Sequence, residues 1–428
     1  MKFAVHTLGC KVNQYETQAI ETLLRERGHS SAGEGERADV IIINTCAVTA
    51  ESGRKSRQAI RRMQHDHPGA VTAVCGCFSQ LSPEQVKELG ADIVYGSGDK
   101  LRFVEDLEKC LDMHDGVMCI DNPFRRVEFE ELPAGAADGR TRAMLKIQDG
   151  CANFCTYCVI PYTRGRVRSL PVSAAVSRAM SLQAGGFAEL VLTGIEIASY
   201  GKDLREGENL CSLVCAIGRA APGLRLRLGS LEPTVITEDF CRSLAELGNV
   251  CRHFHLSLQS GCDATLKAMN RKYDTAQFYE KVELLRRYFP GCGLTADLIA
   301  GFPGETEEHH RATLKFIEKC GFSAMHIFPY SSRPGTKAAD MPGQLSRGEK
   351  AERAAQAQAV ADAMQAAFLD GQQGRTLPVL FETGENGVFR GHSDNYCEVE
   401  AEGSALHGRV RDVFITGRRG QILTGNLV

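Results

Sequence analysis

Residues 143–158 read Ala143-Met144-Leu145-Lys146-Ile147-Gln148-Asp149-Gly150-Cys151-Ala152-Asn153-Phe154-Cys155-Thr156-Tyr157-Cys158. Ala143–Ile147 has the apolar texture of a buried strand, and three cysteines spaced x3 and x2 follow directly. In a βα barrel, functional groups sit in the loops at the C-terminal ends of strands, where this stretch would place them. Further strands are predicted over Glu189–Leu192, Arg225–Leu228, Phe254–Leu258, Leu294–Ile299 and Ala324–Phe328. Helical patterns fill the gaps at Val172–Ala184, Leu210–Ala220, Glu238–Leu247, Gln277–Tyr288 and Glu307–Cys320. Six strands are two short of a closed eight-stranded barrel, so a partial (βα)6 barrel is expected over 143–370, with Glu349–Leu369 as a trailing helix. Chance would give Cys-x3-Cys-x2-Cys in only about one in 30 chains with this cysteine content. Three thiolates suit a four-iron cluster, which ordinarily takes four cysteines, and leave one iron for an outside ligand. The alternatives are a zinc site or buried thiols, but no fourth Cys or His follows at finger spacing.

Upstream, residues 121–142 hold Asn122-Pro123, Pro133 and Ala134–Gly139 without a sustained period, and read as a linker. Residues 1–120 alternate strand and helix: strands at Lys2–Leu8, Asp39–Asn44, Ala70–Val74 and Asp92–Tyr95, helices at Tyr15–Gly28, Arg54–Met63, Pro83–Leu89 and Leu101–Met113. That pattern predicts a doubly wound parallel sheet. Cys10, Cys46 and Cys77 each follow one of its strands, and such ends share one rim of an open sheet, where ligands bind. Three distant cysteines can therefore converge there as a second three-thiolate site. Cys75 competes with Cys77, but Cys10 and Cys77 follow glycines that let the chain turn out of the strand. Three ordinary buried cysteines remain the alternative.

Downstream, residues 371–428 carry short strand patterns separated by Gly, Asp and Asn, as in a five-stranded all-β barrel. The whole chain has 428 residues, 43% apolar and 24% charged, enough for two to four domains. Fifty basic and 53 acidic residues leave a net charge of −3, which excludes polyanion binding by global charge. No apolar run reaches the roughly 18 residues of a membrane span, and Met1–Phe3 opens into a strand, so a soluble, cytoplasmic chain without membrane attachment is expected. Seventeen cysteines spread over this length do not resemble a disulfide framework. The eleven outside the two trios (Cys75, Cys110, Cys119, Cys211, Cys215, Cys241, Cys251, Cys262, Cys292, Cys320 and Cys397) read as packing residues. Arg140, Arg142, Lys146, Arg164, Arg166 and Arg168 against Asp149 make a basic patch beside the cysteine loop, with Arg164, Arg166 and Arg168 as candidate phosphate contacts. Arg54, Lys55, Arg57, Arg61 and Arg62 form a second basic face, otherwise a solvated helix surface.

The Cys151–Cys158 stretch resembles the signature of radical S-adenosylmethionine (SAM) enzymes. With Cys10, Cys46 and Cys77 upstream and a small β module downstream, nearly the whole chain resembles the methylthiotransferases. Thr7-Leu8-Gly9-Cys10-Lys11-Val12-Asn13-Gln14-Tyr15-Glu16-Thr17 is most similar to the threonylcarbamoyladenosine tRNA branch, with support from Asn44-Thr45-Cys46, Gly76-Cys77-Phe78-Ser79-Gln80, Thr163-Arg164-Gly165-Arg166 and the stretch Phe328–Thr336. The resemblance implies two [4Fe-4S] clusters, on Cys151/Cys155/Cys158 and on Cys10/Cys46/Cys77. It also implies SAM as the source of a 5′-deoxyadenosyl radical that takes hydrogen from carbon 2 of an adenine, and insertion of a methylthio group there, next to a tRNA anticodon. The partners it implies are a tRNA anticodon stem-loop and an electron donor such as flavodoxin or ferredoxin; a monomer is expected. Tyr157 would lie against the SAM adenine, Glu196 would accept from its amino group, and Ser230, Glu232 and Gln259, at the ends of successive strands, would line the rest, with Asp297 in an adjoining glycine-rich stretch. The C-terminal module resembles the RNA-binding TRAM domain, although residues 371–402 carry two Arg against six acids and only Arg409, Arg411, Arg418 and Arg419 cluster. The rival readings are an isopentenyladenosine tRNA or ribosomal-protein methylthiotransferase and a non-catalytic iron–sulfur RNA-binding redox sensor.

Overall fold

The computed structural model describes residues 1–113, 116–133 and 141–428. Its N-terminal part is a six-stranded, all-parallel sheet of β1 (Lys2–Thr7), β2 (Ser30–Ser31), β3 (Val40–Thr45), β4 (Val71–Gly76), β5 (Ile93–Tyr95) and β6 (Val117–Cys119), in the order β2-β1-β3-β4-β5-β6. The continuous apolar run Val40–Ile43 is buried on both faces, as a central parallel strand requires. Alternate residues serve opposite cores. Ile42, Ala73 and Ile93 pack with α1 (Lys11–Glu26) and α5 (Lys100–Met113), while Ile41, Ile43 and Val74 pack with α2 (Ala50–Asp66), α3 (Cys77–Leu81) and α4 (Pro83–Glu88). The sheet is doubly wound, as the alternation predicts; β2 and β6 are edge additions too short to announce themselves in sequence.

The central part contains β7 (Arg142–Asp149), α6 (Ile160–Arg164), β8 (Arg168–Ser169), α7 (Val172–Ala184), β9 (Glu189–Gly194), α8 (Leu210–Ala220), β10 (Arg225–Leu228), β11 (Ser230–Leu231), α9 (Glu238–Ala245), β12 (His253–Gln259), α10 (Asp263–Ala268), α11 (Thr275–Tyr288), β13 (Gly293–Ala300), α12 (Glu307–Cys320) and β14 (Ala324–Pro329). β10 pairs with β9 and β11 with β12, so one barrel strand broken at Gly229 joins two curved half-sheets into the expected partial (βα)6 barrel. Leu145, Leu192, Leu226, Leu256, Leu258, Ala296 and Leu298 face the helices in one large core. The pleat therefore turns their neighbours Lys146, Thr193, Arg227, His255, Ser257 and Asp297 toward the concave side. α13 (Arg347–Asp370) follows, capped by Ser346 and Glu349. The chain ends in a closed five-stranded barrel of β15 (Thr376–Glu385), β16 (Val388–Ser393), β17 (Glu398–Glu402), β18 (Val410–Arg419) and β19 (Ile422–Leu427).

Buried charges dock these parts. Glu16 of α1 is fully buried against the barrel: Lys146 Nζ lies 2.9 Å from Glu16 Oε1 and 2.9 Å from Asp149 Oδ2, and Arg164 Nη2 lies 3.1 Å from Glu16 Oε2. At the other end, buried Glu189 accepts from Arg225 and from Arg227, whose guanidinium groups also donate to the His392, Ser393 and Asp394 carbonyls of the C-terminal barrel. The expected linker is partly built into this interface. Tyr15 donates to the Leu132 carbonyl, and Arg126 bonds Asp121, Ser97 and Gln80. Residues 134–140 of that stretch lie outside the described residues.

Burial alone would raise the Glu16 carboxyl, but Arg164 and then Lys146 outweigh it and hold it at about 2, below its ordinary 4.5. A depressed carboxyl contributes stability above its unfolded pKa that is lost as pH falls through the folded value. Glu16→Gln is therefore expected to destabilise the chain by about 3–5 kcal/mol, the cost of breaking a buried ion pair from one side. In urea unfolding, the gap between native and variant chains should persist above about pH 4.5 and close as the pH falls toward about 2.

Candidate functional site

The first cysteine trio sits in the loop between β7 and α6. The loop is pinned at both ends. Cys151 N–H donates to the Gly165 carbonyl at 3.0 Å, and Thr156 N–H donates to the Met269 carbonyl at 3.1 Å. Burial pushes the Cys151 and Cys158 thiols up to about 12, with neighbouring thiols and, at Cys151, the Glu196 and Glu232 carboxylates adding to the shift. Arg271, just beyond α10, is the cation of this site: its Nη1 lies 3.2 Å from Cys155 Sγ and its Nη2 2.6 Å from Glu232. No sequence motif marks Arg271. It follows a helix rather than ending a strand, and only the turn after α10 carries it over the loop.

The second trio converges through two glycines. Gly9 has φ +101°, and a Cβ there would lie 2.8 Å from Cys46 Cβ and 2.9 Å from Cys46 Sγ. Gly76 has φ +105°, and its Cβ would fall 2.5 Å from Asn44 Oδ1 and 2.5 Å from the Thr45 carbonyl, immediately before Cys46. Absent side chains thus let the turns bearing Cys10 and Cys77 close on Cys46. Cys10 is exposed as a residue, but desolvation around its sulfur pushes the thiol up to about 11; Arg164 opposes that shift, and Cys77 and Cys46 add to it. Cys75 is buried on the opposite face of the sheet, packed with Ala73 and Tyr95, whereas Cys77 opens α3 on the face of Ile43 and Phe78. Among the described residues, the one compact donor group with all its ligand atoms within 4.8 Å is His255, Asp297 and His326.

Chain neighbours of both trios share one cavity of about 230 Å³, lined by Val48, Thr49, Tyr157, Gln259, Asp297, Ile299, Phe328, Pro329, Tyr330 and Ser331. Val48 and Thr49 come directly after Cys46 and Ala47, and Tyr157 lies between Cys155 and Cys158. The two walls are tied together: Ala50 N–H donates to Ser331 Oγ at 3.0 Å, and Arg333 Nη1 donates to the Thr49 carbonyl at 3.3 Å. The residues expected to touch SAM are grouped around the barrel rim. Glu196 lies near Cys151, its backbone N–H bonded to Gln148 at 2.8 Å and its buried Oε1 without a hydrogen-bond partner. That orphaned acceptor fits a cationic amino group, as SAM carries. Ser230 Oγ lies 2.9 Å from Ser257 Oγ, and Glu232 is engaged by Arg271. Gln259 ends β12 at an irregularity with φ +68°, a backbone conformation that carries strain and concentrates at functional sites. Tyr157 stands edge-on to Phe302, with ring centroids 6.5 Å apart.

Two of the three candidate phosphate contacts are corrected. Arg164 is fully buried, bonded to Glu16 and to Asn13 Oδ1 at 2.8 Å, and Arg168 is 3% exposed, donating to the Arg164 and Arg166 carbonyls beside Asp149. Buried guanidinium groups committed to carboxylates cannot reach an RNA backbone; Arg166 alone of the three is exposed. The wider patch shrinks for the same reason. Lys146 is fully buried, Arg142 is bonded to Glu382, and Arg140 lies outside the described residues. In the C-terminal barrel, Arg418 pairs with Asp370 and Arg419 with Glu400, which leaves Arg409 and Arg411.

The barrel and its cysteine loop define a radical SAM protein: the Radical SAM superfamily profile matches residues 145–317, and that of Uncharacterized protein family UPF0004 matches residues 2–96. The fold is also that of the radical SAM methyltransferase TsrM from Kitasatospora setae, with a TM-score of 0.58 at 16% identity over 79% of this chain and 74% of that one. The chain belongs to the radical SAM tRNA methylthiotransferases. It is 38% identical to the threonylcarbamoyladenosine tRNA methylthiotransferase MtaB of Bacillus subtilis, over 94% of this chain and 90% of the relative. It is 33% identical to MtaB of Aquifex aeolicus over 97% and 100%. To the tRNA-2-methylthio-N(6)-dimethylallyladenosine synthase of Pelotomaculum thermopropionicum it is 31% identical, over 100% and 97%.

Gly76→Ala is expected to push the Cys77 turn away from Cys46. After anaerobic iron–sulfur reconstitution, colorimetric iron assay should find about half the iron of the native chain, with the Cys151/Cys155/Cys158 share retained.

Proposed function

We infer that this chain inserts a methylthio group at carbon 2 of N6-threonylcarbamoyladenosine next to the anticodon of tRNA, with Cys151, Cys155 and Cys158 holding one [4Fe-4S] cluster and Cys10, Cys46 and Cys77 the other. The observation that supports the reading is a cavity lined by chain neighbours of both trios, Val48 and Thr49 after Cys46 and Tyr157 between Cys155 and Cys158, in a chain similar to MtaB over nearly its full length. Bound there, the clusters and SAM supply the one-electron cleavage that makes a hydrogen-abstracting radical and the sulfur that is transferred.

The chain's own residues do the placing. Glu196, whose Oε1 is buried without a partner, would accept from the SAM amino group, and Ser230, Glu232, Gln259 and Tyr157 would line the remainder of the cofactor. Arg271 bridges Glu232 and the Cys155 sulfur, which fixes the carboxylate beside the cysteine loop. Val48, Ile299, Phe328 and Tyr330 make the cavity wall apolar, which excludes water from a radical that water-filled space would expose to side reactions. Arg166, exposed beside the loop, is placed to meet a tRNA phosphate, and the C-terminal barrel, TRAM-like in its five strands, extends the RNA-facing surface through Arg409 and Arg411. The reading carries with it a one-electron donor of the flavodoxin or ferredoxin type and a monomeric, cytoplasmic enzyme. Among the described residues, no helix is long and apolar enough to cross a membrane.

The test is anaerobic turnover of the reconstituted chain with SAM, a reductant and anticodon stem-loops bearing either threonylcarbamoyladenosine or isopentenyladenosine, read by nucleoside mass spectrometry. A methylthio product on the threonylcarbamoyl substrate, with 5′-deoxyadenosine, is expected. Product on the isopentenyl substrate alone would move the chain to the other tRNA branch, and no 5′-deoxyadenosine under any condition would remove the enzyme reading. Glu196→Gln should weaken SAM binding in equilibrium dialysis by about tenfold, the loss of one hydrogen bond to a charged group.

A further inference from the structure

The concave wall of the barrel carries a donor group that neither cysteine trio uses. His255, Asp297 and His326 stand on the neighbouring parallel strands β12, β13 and β14; Asp297 is in register with His326, and His255 with Thr295, two residues before Asp297. The adjacent residues Leu256, Ala296, Leu298 and Met325 lie in the helix-side core, so the pleat turns all three donors inward. One ligand atom from each lies within 4.8 Å of the other two. His255 Nε2 is 3.2 Å from Asp297 Oδ2, and the His255 and His326 rings, 5.8 Å apart between centroids, are tilted by 48° rather than stacked.

The surroundings orient this group as metal ligands are oriented. His255 Nδ1 is 2.9 Å from Thr295 Oγ1, and the same hydroxyl is 3.1 Å from His253 Nε2. A ring held through Nδ1 presents Nε2 to the point where Asp297 and His326 meet, the arrangement in which a ligating histidine is fixed by its other nitrogen. His326 is exposed and, among the described residues, makes no hydrogen bond. A purely structural His255–Asp297 pair would have no need of it.

We propose that His255, Asp297 and His326 bind one divalent first-row transition-metal ion, separate from the iron held by cysteine. Two imidazole nitrogens and one carboxylate oxygen suit Mn²⁺, Fe²⁺, Co²⁺ or Zn²⁺, and do not suit an iron–sulfur cluster, which takes thiolates. Three protein ligands leave further coordination positions open. Asp297 also lines the cavity shared by neighbours of the two trios, so a metal held there would stand at the edge of that cavity, with its open positions available to water or to an oxygen or nitrogen of a bound molecule.

The site is tested by titrating the cluster-reconstituted chain with Mn²⁺ under anaerobic conditions and following the six-line electron paramagnetic resonance signal of free Mn²⁺. Saturable uptake of one Mn²⁺ per chain is expected, displaced by Zn²⁺ and weakened at least about tenfold in both His326→Ala and Asp297→Asn, with iron and sulfide content unchanged. His326 is at an exposed position, so its variant keeps the fold and the comparison stands without activity. No saturable uptake by the native chain, or uptake equally tight in both variants, overturns the proposal.

Discussion

The arrangement depends on a fully buried carboxylate, Glu16, meeting two fully buried cations, Lys146 and Arg164. Glu16 belongs to the helix that begins just after Cys10; Lys146 lies on the strand that leads into Cys151, and Arg164 ends the short helix that follows Cys158. One ionic knot therefore joins the two cysteine-bearing parts at the roots of both trios. Desolvating such charges costs several kcal/mol per ion, and only close geometry with every lone pair engaged offsets it. That demand gives the contact its specificity. A slide of the sheet domain over the barrel would strand a buried charge, whereas an apolar interface would tolerate it. Arg164 also carries its charge toward Cys10, where it opposes the upward shift of that thiol.

A second knot works the same way at the opposite end. Glu189 collects Arg225 and Arg227, and the spare donors of those arginines reach carbonyls of the C-terminal barrel. The planar, five-donor guanidinium group can satisfy a carboxylate and two backbone carbonyls at once, which an ammonium does less well. The sheet, the partial barrel and the C-terminal barrel are thus joined through two buried carboxylates.

Much of this was legible along the chain. The helices Val172–Ala184, Leu210–Ala220 and Glu307–Cys320 coincide with their apolar periodicity to the residue, because each has one face committed to the barrel core. Helix starts were less legible: α1 begins at Lys11, four residues before Tyr15, because its first turn is mostly polar and Asn13 is buried there for its hydrogen bonds to the Leu8 and Thr45 carbonyls rather than for packing. The choice of Cys77 over Cys75 follows from Gly76, whose positive φ turns the chain out of the strand, so that Cys77 opens α3 on the other face of the sheet from Cys75 instead of continuing the pleat. The arginines around the cysteine loop mark the limit of such reading. Composition counts Arg164, Arg166 and Arg168 as equal charges, and nothing local distinguishes a guanidinium that will find a buried carboxylate from one that will face solvent.

Strand and helix periods, glycines at forced turns and the spacing of Cys151, Cys155 and Cys158 are local quantities, and the sequence by itself determined them: the doubly wound sheet, the partial barrel, the closed β module and the two candidate trios. Tertiary structure alone decided which charges are consumed in holding the parts together. It alone brought Arg271 over Cys155 and closed one cavity between Val48 and Tyr157. The physical reason is range. Backbone preference and pleat act over a few residues, whereas pairings such as Glu16 with Arg164 span 148 positions and exist only once the surfaces that bury them have met.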